Sequence, residues 1–295
     1  MTPSGSSSIC CTTTMANPVL ERFPQLRHVT NTPMFRRGLM IARQHRLVDK
    51  RLRFVVGEIR GGTRCYHLAT HPDYAVVVRH RTGDMGVLDE IFGPPQVYDP
   101  PPAAAEALHG RATMGRPLRV LDLGANVGLF AIYVLSHYPG AEVTSYEPEP
   151  DNLRVLARCA ARNVANWDIV QACALTSPGT VRITPGRFGH ACVSDYGVEV
   201  AGVDVLPILA GYDFVKLDTE GSEWPILQDE RWPDATRDVA VLALEWHKRG
   251  CSSKDPHAAA LASVEAAGFD TASSPPGWDH GMIWGWRSAT RSSGL

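Results

Sequence analysis

The stretch Val120-Leu-Asp-Leu-Gly-Ala-Asn-Val-Gly128 decides the fold, and an apolar segment from Leu129 to Leu135 follows it directly. Its first residues predict a buried strand, and the turn after them contains Gly124 and Gly128. Glycine lets backbone N–H groups come close to a ligand, and the N-terminus of the following helix favours negative charge. The stretch therefore predicts a strand that turns into a helix beside a ligand, although the same spacing also fits a purely structural turn.

Short apolar runs alternate with helical segments through the rest of the chain. This alternation is typical of βαβ units and predicts an α/β fold with a parallel sheet covered by helices. The expected strands are residues 119–123, 141–146, 167–171, 212–217, 239–244 and 281–286. The expected helices between them are residues 127–137, 150–163, 223–228 and 256–267.

An acid-proline pair follows the second expected strand, where Glu147-Pro148 comes about 25 residues after Asp122. Open α/β folds place an acid roughly 20 residues after the glycine turn, where it accepts the hydroxyls of an adenosine ribose. A nicotinamide dinucleotide would also need a third glycine for its pyrophosphate, and this loop has Ala125-Asn126 in its middle instead. Asn126 is better suited to the amino-acid end of S-adenosylmethionine. The cofactor-binding candidates are Asp122, Gly124, Asn126, Gly128 and Glu147.

These motifs resemble those of the FkbM family of methyltransferases. The shared features are the Val-x-Asp-x-Gly-Ala-Asn-x-Gly loop, the acid-proline pair, Asn163, and above all Phe214-Val-Lys-Leu-Asp-Thr-Glu-Gly-Ser-Glu-Trp-Pro-Ile-Leu227, with Leu244-Glu-Trp-His247 after it. Thr219 and Ser222 depart from the family pattern. The resemblance covers roughly residues 85 to 290 and implies a Rossmann-like, seven-stranded class I methyltransferase sheet. It also implies O-methylation of sugar or polyketide hydroxyls in secondary metabolism, with S-adenosylmethionine as the methyl donor.

Acidic residues cluster at the ends of the fourth and fifth expected strands. Asp218, Glu220 and Glu223 follow the fourth strand, and Glu245 and His247 end the fifth. A hydroxyl acceptor must lose its proton to a base or be acidified by a metal ion, so the cluster has three open interpretations.

In the first interpretation, His247 or Asp218 acts as the base, with Glu220 as a further catalytic candidate. In the second, Asp218 and Glu245 bind a divalent cation such as Mg²⁺, which prefers oxygen ligands. In the third, Lys216 neutralises Glu220 or Glu223 and the cluster is structural. An alternative function is N-methylation of an amine or guanidine, with Asp218, Glu220 and Glu223 binding the cation; another is a protein that binds S-adenosylmethionine without catalysis.

The region before the sheet predicts an N-terminal extension. Residues 1–17 are expected to be a disordered leader with a second possible start at Met15, and residues 18–102 a cap. Small antiparallel strands are expected within residues 53–80, the first of them at Phe54-Val55-Val56. Residues 93–102 are rich in proline and predict a linker. The methyltransferase domain should span residues 103–290, followed by a tail at 291–295. Within the cap, Glu90 and Tyr98 are expected to line the cofactor or acceptor site.

Composition limits the partners of the chain. Its 295 residues are 44% hydrophobic, and 29 basic against 31 acidic side chains leave a formal charge of −2. This balance predicts a small-molecule acceptor rather than nucleic acid or an anionic membrane. The seven cysteines show no zinc-binding spacing, and no apolar run approaches the roughly 20 residues of a membrane span, so a cytoplasmic protein with reduced thiols is expected.

Overall fold

Helices and strands alternate along the chain as the apolar runs predict. The computed structural model describes residues 33–163, 166–185, 191–274, 277 and 279–288. The helices are Pro33–Gln44 (α1), Arg51–Arg60 (α2), Asp84–Phe92 (α3), Pro102–Ala112 (α4), Leu129–His137 (α5), Pro150–Ala160 (α6), Leu206–Leu209 (α7), Glu223–Gln228 (α8), Trp232–Ala235 (α9) and Pro256–Ala266 (α10). The strands are Gly62–His67 (β1), Ala75–His80 (β2), Arg119–Leu123 (β3), Glu142–Tyr146 (β4), Asn166–Val170 (β5), Cys173–Leu175 (β6), Gly179–Pro185 (β7), Ala191–Ser194 (β8), Val198–Asp204 (β9), Phe214–Leu217 (β10), Val241–His247 (β11), Asp270–Ser273 (β12) and His280–Trp286 (β13). The expected leader 1–17 and tail 291–295 lie outside the described residues.

The main sheet has seven strands in the order β12-β13-β11-β10-β3-β4-β5. Strands β11, β10, β3, β4 and β5 are parallel, and β13 runs antiparallel to both β11 and β12. From β3 the chain builds β4 and β5 on one side and later β10 and β11 on the other. Ligands bind beyond the carboxyl ends of the strands at such a reversal. The predicted α/β fold with a Rossmann-like, seven-stranded sheet is confirmed.

The helix after the glycine turn is apolar on all sides because it is buried on all sides. Every residue of α5 from Leu129 to Leu135 is buried, and Val120 and Leu121 of the preceding strand are fully buried as well. A helix without a polar face is stable only inside a core. The deciding stretch thus lies at the centre of the molecule.

The segment at Phe54 is a helix, although a strand was expected there. In α2 the buried residues are Phe54, Gly57 and Glu58, which recur at the three- and four-residue spacing of one helical face. The run Phe54-Val55-Val56 was therefore misinterpreted because the helical period was not tested across Gly57. The antiparallel strands expected later in this region are present, since β1 pairs with β2 from Gly62 opposite His80.

The β1–β2 hairpin is attached to the main sheet through the end of α6 and the turn that follows it. The side chain of Asn163 accepts a hydrogen bond from the backbone N–H of Ala75 and donates one to its carbonyl, each at 2.8 Å. It also donates to the carbonyl of Cys159 at 2.8 Å, and the N–H of Val77 donates to the Cys159 Sγ at 3.3 Å. The hairpin therefore belongs to the same compact unit as the sheet, which comprises residues 44–295.

Two parts of the described chain complete the fold. A second sheet of four strands, in the order β6-β9-β7-β8, was not expected from the sequence, because its core is small, with Cys173, Ile183 and Val200 as its buried apolar residues. Residues 33–43 belong to a separate unit, in which Arg37 and Arg43 are exposed. Among the described residues, no helix combines the length and apolarity that crossing a membrane requires.

Candidate active site

A cleft of about 950 Å³ opens beyond the carboxyl ends of β3, β4 and β10. The sequence-predicted residues that line it are Glu90, Tyr98, Gly124, Asn126, Glu147, Asp218, Glu220 and Glu245. Sequence reasoning missed its apolar wall, which includes Ile91 of α3, Phe130 of α5 and Ala172 after β5. Their only signal is an apolar pattern, which core residues share. We refer to this space as the donor cleft.

The glycine loop brings the backbone close to the neighbouring strand. Gly124 has a φ of +83°, and a Cβ there would collide with the carbonyl oxygen of Asp218. Asn126 also has a left-handed backbone, with a φ of +50°, a conformation that asparagine tolerates better than most residues. Its buried Oδ1 has no hydrogen-bond partner among the described residues. The loop thus presents a polar atom that a ligand can satisfy.

Glu147 is held in the wall of the donor cleft by groups that donate to its carboxylate. The N–H of Asn126 lies 2.7 Å from Oε2, while the N–H of Glu149 and the Nδ2 of Asn152 lie 2.9 and 3.3 Å from Oε1. Burial raises the pKa of Glu147 to about 7, because the loss of solvation outweighs these hydrogen bonds. The carboxylate is oriented, and a hydroxyl-bearing ligand can approach it.

Asp122 and Gly128, both expected to contact the cofactor, do not line the donor cleft. Asp122 is fully buried and lies 3.3 Å from the Lys216 Nζ and 3.3 Å from the Ser145 Oγ. A Cβ on Gly128 would come within 2.5 Å of Leu156. Both residues therefore support the loop by packing and charge, and direct contact with a ligand stays a prediction.

The carboxylates Asp218, Glu220 and Glu245 line the donor cleft at the ends of β10 and β11, and we refer to them as the acidic rim. Lys216 is the buried cation that connects the glycine loop to this rim. Its Nζ donates to the carbonyl of Gly124 at 2.9 Å and lies 3.1 Å from the Asp218 Oδ2, in addition to its contact with Asp122. Burial alone would lower the pKa of Lys216, but the charges of Asp218 and Asp122 outweigh it and raise that pKa. The expectation that Lys216 neutralises Glu220 or Glu223 is wrong, because its strand position directs it to Asp122 and Asp218.

Glu223 links the turn after β10 to the end of β11 through hydrogen bonds. It is fully buried and accepts hydrogen bonds from the N–H groups of Gly221 at 2.8 Å and His247 at 2.7 Å. The hydroxyl of Thr219 donates to it at 3.2 Å, and the imidazole Nδ1 of His247 lies 3.2 Å away. Both carboxylate oxygens of Glu223 thus already interact with groups of the protein. This arrangement does not favour the predicted role of Glu223 in binding a substrate cation.

His247 lies among carboxylates. Its Nε2 is 3.5 Å from Glu220 and 3.9 Å from Asp218, on the side opposite Glu223. Burial disfavours the imidazolium, but the hydrogen bond to Glu223 and the charges of Asp218 and Glu220 outweigh burial and raise the pKa of His247 to about 10. The side chain is therefore positively charged at neutral pH. A general base must be unprotonated, so this state does not favour the predicted role of His247 as the base.

Glu245 combines an accessible position with a pKa suited to proton transfer. The hydroxyl of Tyr98 donates to its carboxylate at 2.9 Å, and the same hydroxyl lies 3.5 Å from Asp218. Burial, together with the charge of Asp218, raises the pKa of Glu245 to about 7. The sequence suggested Glu245 only as a metal ligand, since its pKa depends on neighbours that come from three separate segments.

A second cleft adjoins the first. It has a volume of about 1340 Å³ and is bounded by the segment 95–101, β12 and β13. Glu90 and Glu245 line both spaces. These two carboxylates thus stand where the clefts meet, and we refer to this point as the junction.

The group of described residues best placed for a metal ion differs from the expected pair. Asp218, Glu220 and His247 each offer a ligand atom within 4.8 Å of the others, and Glu245 is not part of this group. Lys216 already lies against Asp218. Metal binding by Asp218 and Glu245 stays a prediction.

Comparisons with known proteins point to one class. No family model matches the chain. It is similar to the curated proteins Methyltransferase sdnD of Sordaria araneosa, at 29% identity over 51% of this chain and 73% of the relative, and Methyltransferase 1 of Beauveria bassiana, at 24% identity over 54% and 75%. A solved structure of methyltransferase FkbM from Methylobacillus flagellatus is 18% identical over 68% of this chain and 53% of that chain, with a TM-score of 0.39.

The sheet order, the donor cleft and the curated relatives together define the class of the protein. It is an S-adenosylmethionine-dependent methyltransferase, and S-adenosylmethionine is its methyl donor. The described residues fit this donor, because the unpartnered Oδ1 of Asn126 and the oriented carboxylate of Glu147 face the same space. The acidic rim at Asp218 suits a sulfonium cation.

Proposed function

We propose that the enzyme is an FkbM-type O-methyltransferase that acts on a hydroxyl of a small molecule, such as a sugar or another secondary metabolite. The observation that carries the proposal is the position of Glu245 at the junction, with its pKa near 7. A hydroxyl is a poor nucleophile and needs a base whose pKa lies close to the working pH. The FkbM assignment rests on the sequence motifs.

In this proposal the residues of the donor cleft orient the donor. The loop at Gly124 and Asn126 holds its amino-acid end, and Glu147 accepts hydrogen bonds from its ribose hydroxyls. When bound, S-adenosylmethionine supplies the methyl group as an electrophile on a sulfonium. Lys216 holds Asp218 and the loop in place, because its Nζ lies 3.1 Å from the Asp218 Oδ2 and 2.9 Å from the carbonyl oxygen of Gly124.

In this proposal the general base is Glu245 in its carboxylate form. Tyr98, which stays a phenol because burial raises its pKa, donates to Glu245 and fixes its orientation. Glu245 takes the proton of the acceptor hydroxyl at the junction. Asp218 is a less suitable base, since Lys216 lies against it, and His247 is charged.

The acidic rim also supports a second candidate, N-methylation of an amine or guanidine. Asp218 and Glu220 line the donor cleft and would attract a cation. An amine must lose its proton before it attacks, so it would need the same base. We place this candidate second because Glu223, the third carboxylate suggested for it, is occupied by Gly221, Thr219 and His247.

Two measurements test the proposal. Isothermal titration with S-adenosylhomocysteine should give saturable heat, and no heat at any concentration would overturn the assignment of the donor cleft. Mass spectrometry after incubation of the full chain with S-adenosylmethionine and hydroxylated metabolites should find one that gains a methylene. A product methylated on nitrogen alone would favour the second candidate. Full turnover in excess chelator would reject the divalent-cation interpretation.

We also propose the cellular setting that the composition suggests. With a formal charge of −2, the protein has no overall field for nucleic acid or anionic membrane, so a small-molecule acceptor in the cytoplasm is the simplest partner. We also keep the proposed division of the chain into an extension, residues 18–102, and a methyltransferase domain, residues 103–290. Within the extension, Glu90 and Tyr98 line the donor cleft.

A further inference from the structure

Arg79, in β2, connects three segments of the chain through its hydrogen bonds. Its backbone N–H and its Nε donate to the Asp84 Oδ2 at 2.8 and 3.0 Å, and its Nη2 donates to the Asp84 Oδ1 at 2.8 Å. The same Nη2 also donates to the Oδ1 of Asn152 at 2.7 Å. Asp84 lies in the first turn of α3, and Asn152 lies in the first turn of α6. One guanidinium thus connects the hairpin β1–β2 to both helices.

The amide of Asn152 lies between Arg79 and Glu147, and its two ends differ chemically. Guanidinium N–H groups can only donate, so Arg79 requires the amide oxygen on its side. The amide nitrogen then faces Glu147 and donates to Oε1 at 3.3 Å. Asn152 is buried, with 1% of its surface exposed, so it is shielded from water. The orientation that Arg79 requires is therefore the one in which Asn152 donates to Glu147.

The guanidinium is itself held in place by charge. Burial alone would lower the pKa of Arg79, but the hydrogen bond and charge of Asp84, followed by the charges of Glu149 and Glu147, outweigh burial and raise that pKa. Asp84 is buried, and its carboxylate pairs with the Arg79 Nη2. Neither Arg79 nor Asn152 lines the donor cleft, whereas Glu147 does. Any effect of Arg79 on a bound donor must therefore pass through Glu147.

We infer that Arg79 is a positioning residue for the methyl donor, acting through the amide of Asn152 on Glu147 and so on the recognition of the ribose hydroxyls. This inference rests on the proposed ribose role of Glu147. The Nδ2 of Asn152 and the N–H of Glu149 both donate to the Glu147 Oε1. Without Arg79, the amide of Asn152 can turn its oxygen toward Glu147. The carboxylate then loses a donor and meets an acceptor instead, so it no longer keeps the orientation that the ribose requires.

The inference can be tested with two ligands, S-adenosylhomocysteine and its 2′,3′-dideoxy analogue, which lacks both ribose hydroxyls. Isothermal titration gives the dissociation constant of each, and the constant of the analogue divided by that of S-adenosylhomocysteine is the ribose ratio. A general loss of structure weakens both ligands alike and leaves this ratio unchanged. We expect a ribose ratio of at least about ten in the natural protein and about one in Glu147→Ala.

Two variants remove the contact from opposite ends. Asn152→Leu keeps the ion pair of Arg79 with Asp84, and the double variant Arg79→Met with Asp84→Asn leaves no buried carboxylate without its cation. We expect each to lower the ribose ratio by at least about threefold. Arg158→Met is the matched control, because Arg158 is an exposed arginine of α6 that lines neither cleft. It should keep the natural ratio.

The outcomes separate this inference from the proposed function. If Glu147→Ala lowers the ribose ratio but Asn152→Leu keeps it, the inference is overturned even if the double variant does not fold, and the ribose role of Glu147 stands. A natural ratio in the folded double variant, with both ligands weakened alike, also overturns it, since Arg79 would then be structural only. If Glu147→Ala keeps the natural ratio, the proposed ribose role fails and the inference fails with it.

Discussion

Burial raises the pKa of Glu147 to about 7 and is also the main reason why the pKa of Glu245 rises to about 7. Their surroundings assign them different tasks. Glu147 accepts hydrogen bonds from two backbone N–H groups and one side chain, so it is suited to hold a ligand in place. Glu245 is held by Tyr98 alone among the hydrogen bonds described above and lies at the junction, so it is suited to exchange a proton.

Replacing Glu147 by alanine should weaken the binding of S-adenosylhomocysteine by at least about tenfold, because hydrogen bonds to a charged acceptor contribute roughly 1.5–3 kcal/mol. Isothermal titration measures the change. Glu142→Ala, at the opposite end of the same strand and exposed, is the control and should bind normally. Unchanged affinity in Glu147→Ala would remove this residue from the ribose role.

Replacing Glu245 by glutamine should lower kcat by about 100-fold or more, the range over which a general base contributes. The base must be deprotonated, so kcat/KM of the natural enzyme should fall as the pH drops below about 7. This fall is the acidic limb of the pH–rate profile, and the variant should not show it. Affinity for S-adenosylhomocysteine should stay within about threefold. The measurement is a pH–rate profile with the acceptor that mass spectrometry identifies.

Tyr98→Phe tests whether Tyr98 positions the base. Its hydrogen bond stabilises the carboxylate and lowers the pKa of Glu245, so its loss should move the acidic limb of the profile to higher pH. A structural role alone would lower activity without moving the limb. A profile of unchanged shape would therefore argue against positioning.

At the scale of elements, the active site depends on how the strand ends meet. Lys216 of β10 faces Asp122 of β3 across one rung of the parallel ladder, and this register puts its Nζ under the loop. The hairpin β1–β2 lines neither cleft and is held to the end of α6 through Asn163. A few fixed hydrogen bonds thus connect segments that are distant in sequence.

Asn163→Ala should destabilise the protein by about 2–3 kcal/mol, because it leaves the N–H and carbonyl of the buried Ala75 without their partner. Urea unfolding measures the loss, and hydrogen exchange should rise first in β2. The control is Asn166→Ala, an exposed asparagine three positions later. Equal stability of both variants would show that the hairpin is held by other contacts.

At the scale of the whole molecule, the balance of buried charge sets the response to pH. The folded pKa of His247, about 10, lies above the value of about 6.5 expected in the unfolded chain. Such a group stabilises the fold fully below pH 6.5, and this stabilisation is lost as the pH rises through 10. His247 thus contributes to stability as a cation between Glu220 and Glu223.

The free energy of unfolding should therefore fall by roughly 2–3 kcal/mol more between pH 7 and pH 10 in the natural protein than in His247→Gln. Urea titrations at pH 7, 8.5 and 10 measure the difference. His109→Gln is the control, because that histidine is exposed, lies in α4 and lines neither cleft. Parallel curves for all three proteins would contradict the charged state assigned to His247.

The class of fold, and the position of Gly124, Asn126 and Glu147 along the donor cleft, could be predicted from the sequence alone. The run at Val120–Gly128, the apolar helix after it and the carboxylate of Glu147 are local features, since strand period, glycine freedom and strand-end position are all encoded in neighbouring residues. The helix at Phe54 was missed because Val55 and Val56 also fit a strand. The four-stranded sheet was missed because the alternation of apolar and polar residues at Val181-Arg-Ile183 and Val198-Glu-Val200 is brief, and its core is small.

Only the tertiary structure decided the chemistry of the acidic rim. Proton affinity depends on burial and on neighbours in space, and these come from separate elements. Lys216 pairs with Asp122 and Asp218 rather than Glu220, His247 becomes a cation, and Glu245 reaches a pKa near 7 beside Tyr98. No spacing along the chain encodes these distances, because they exist only once the strand ends have come together.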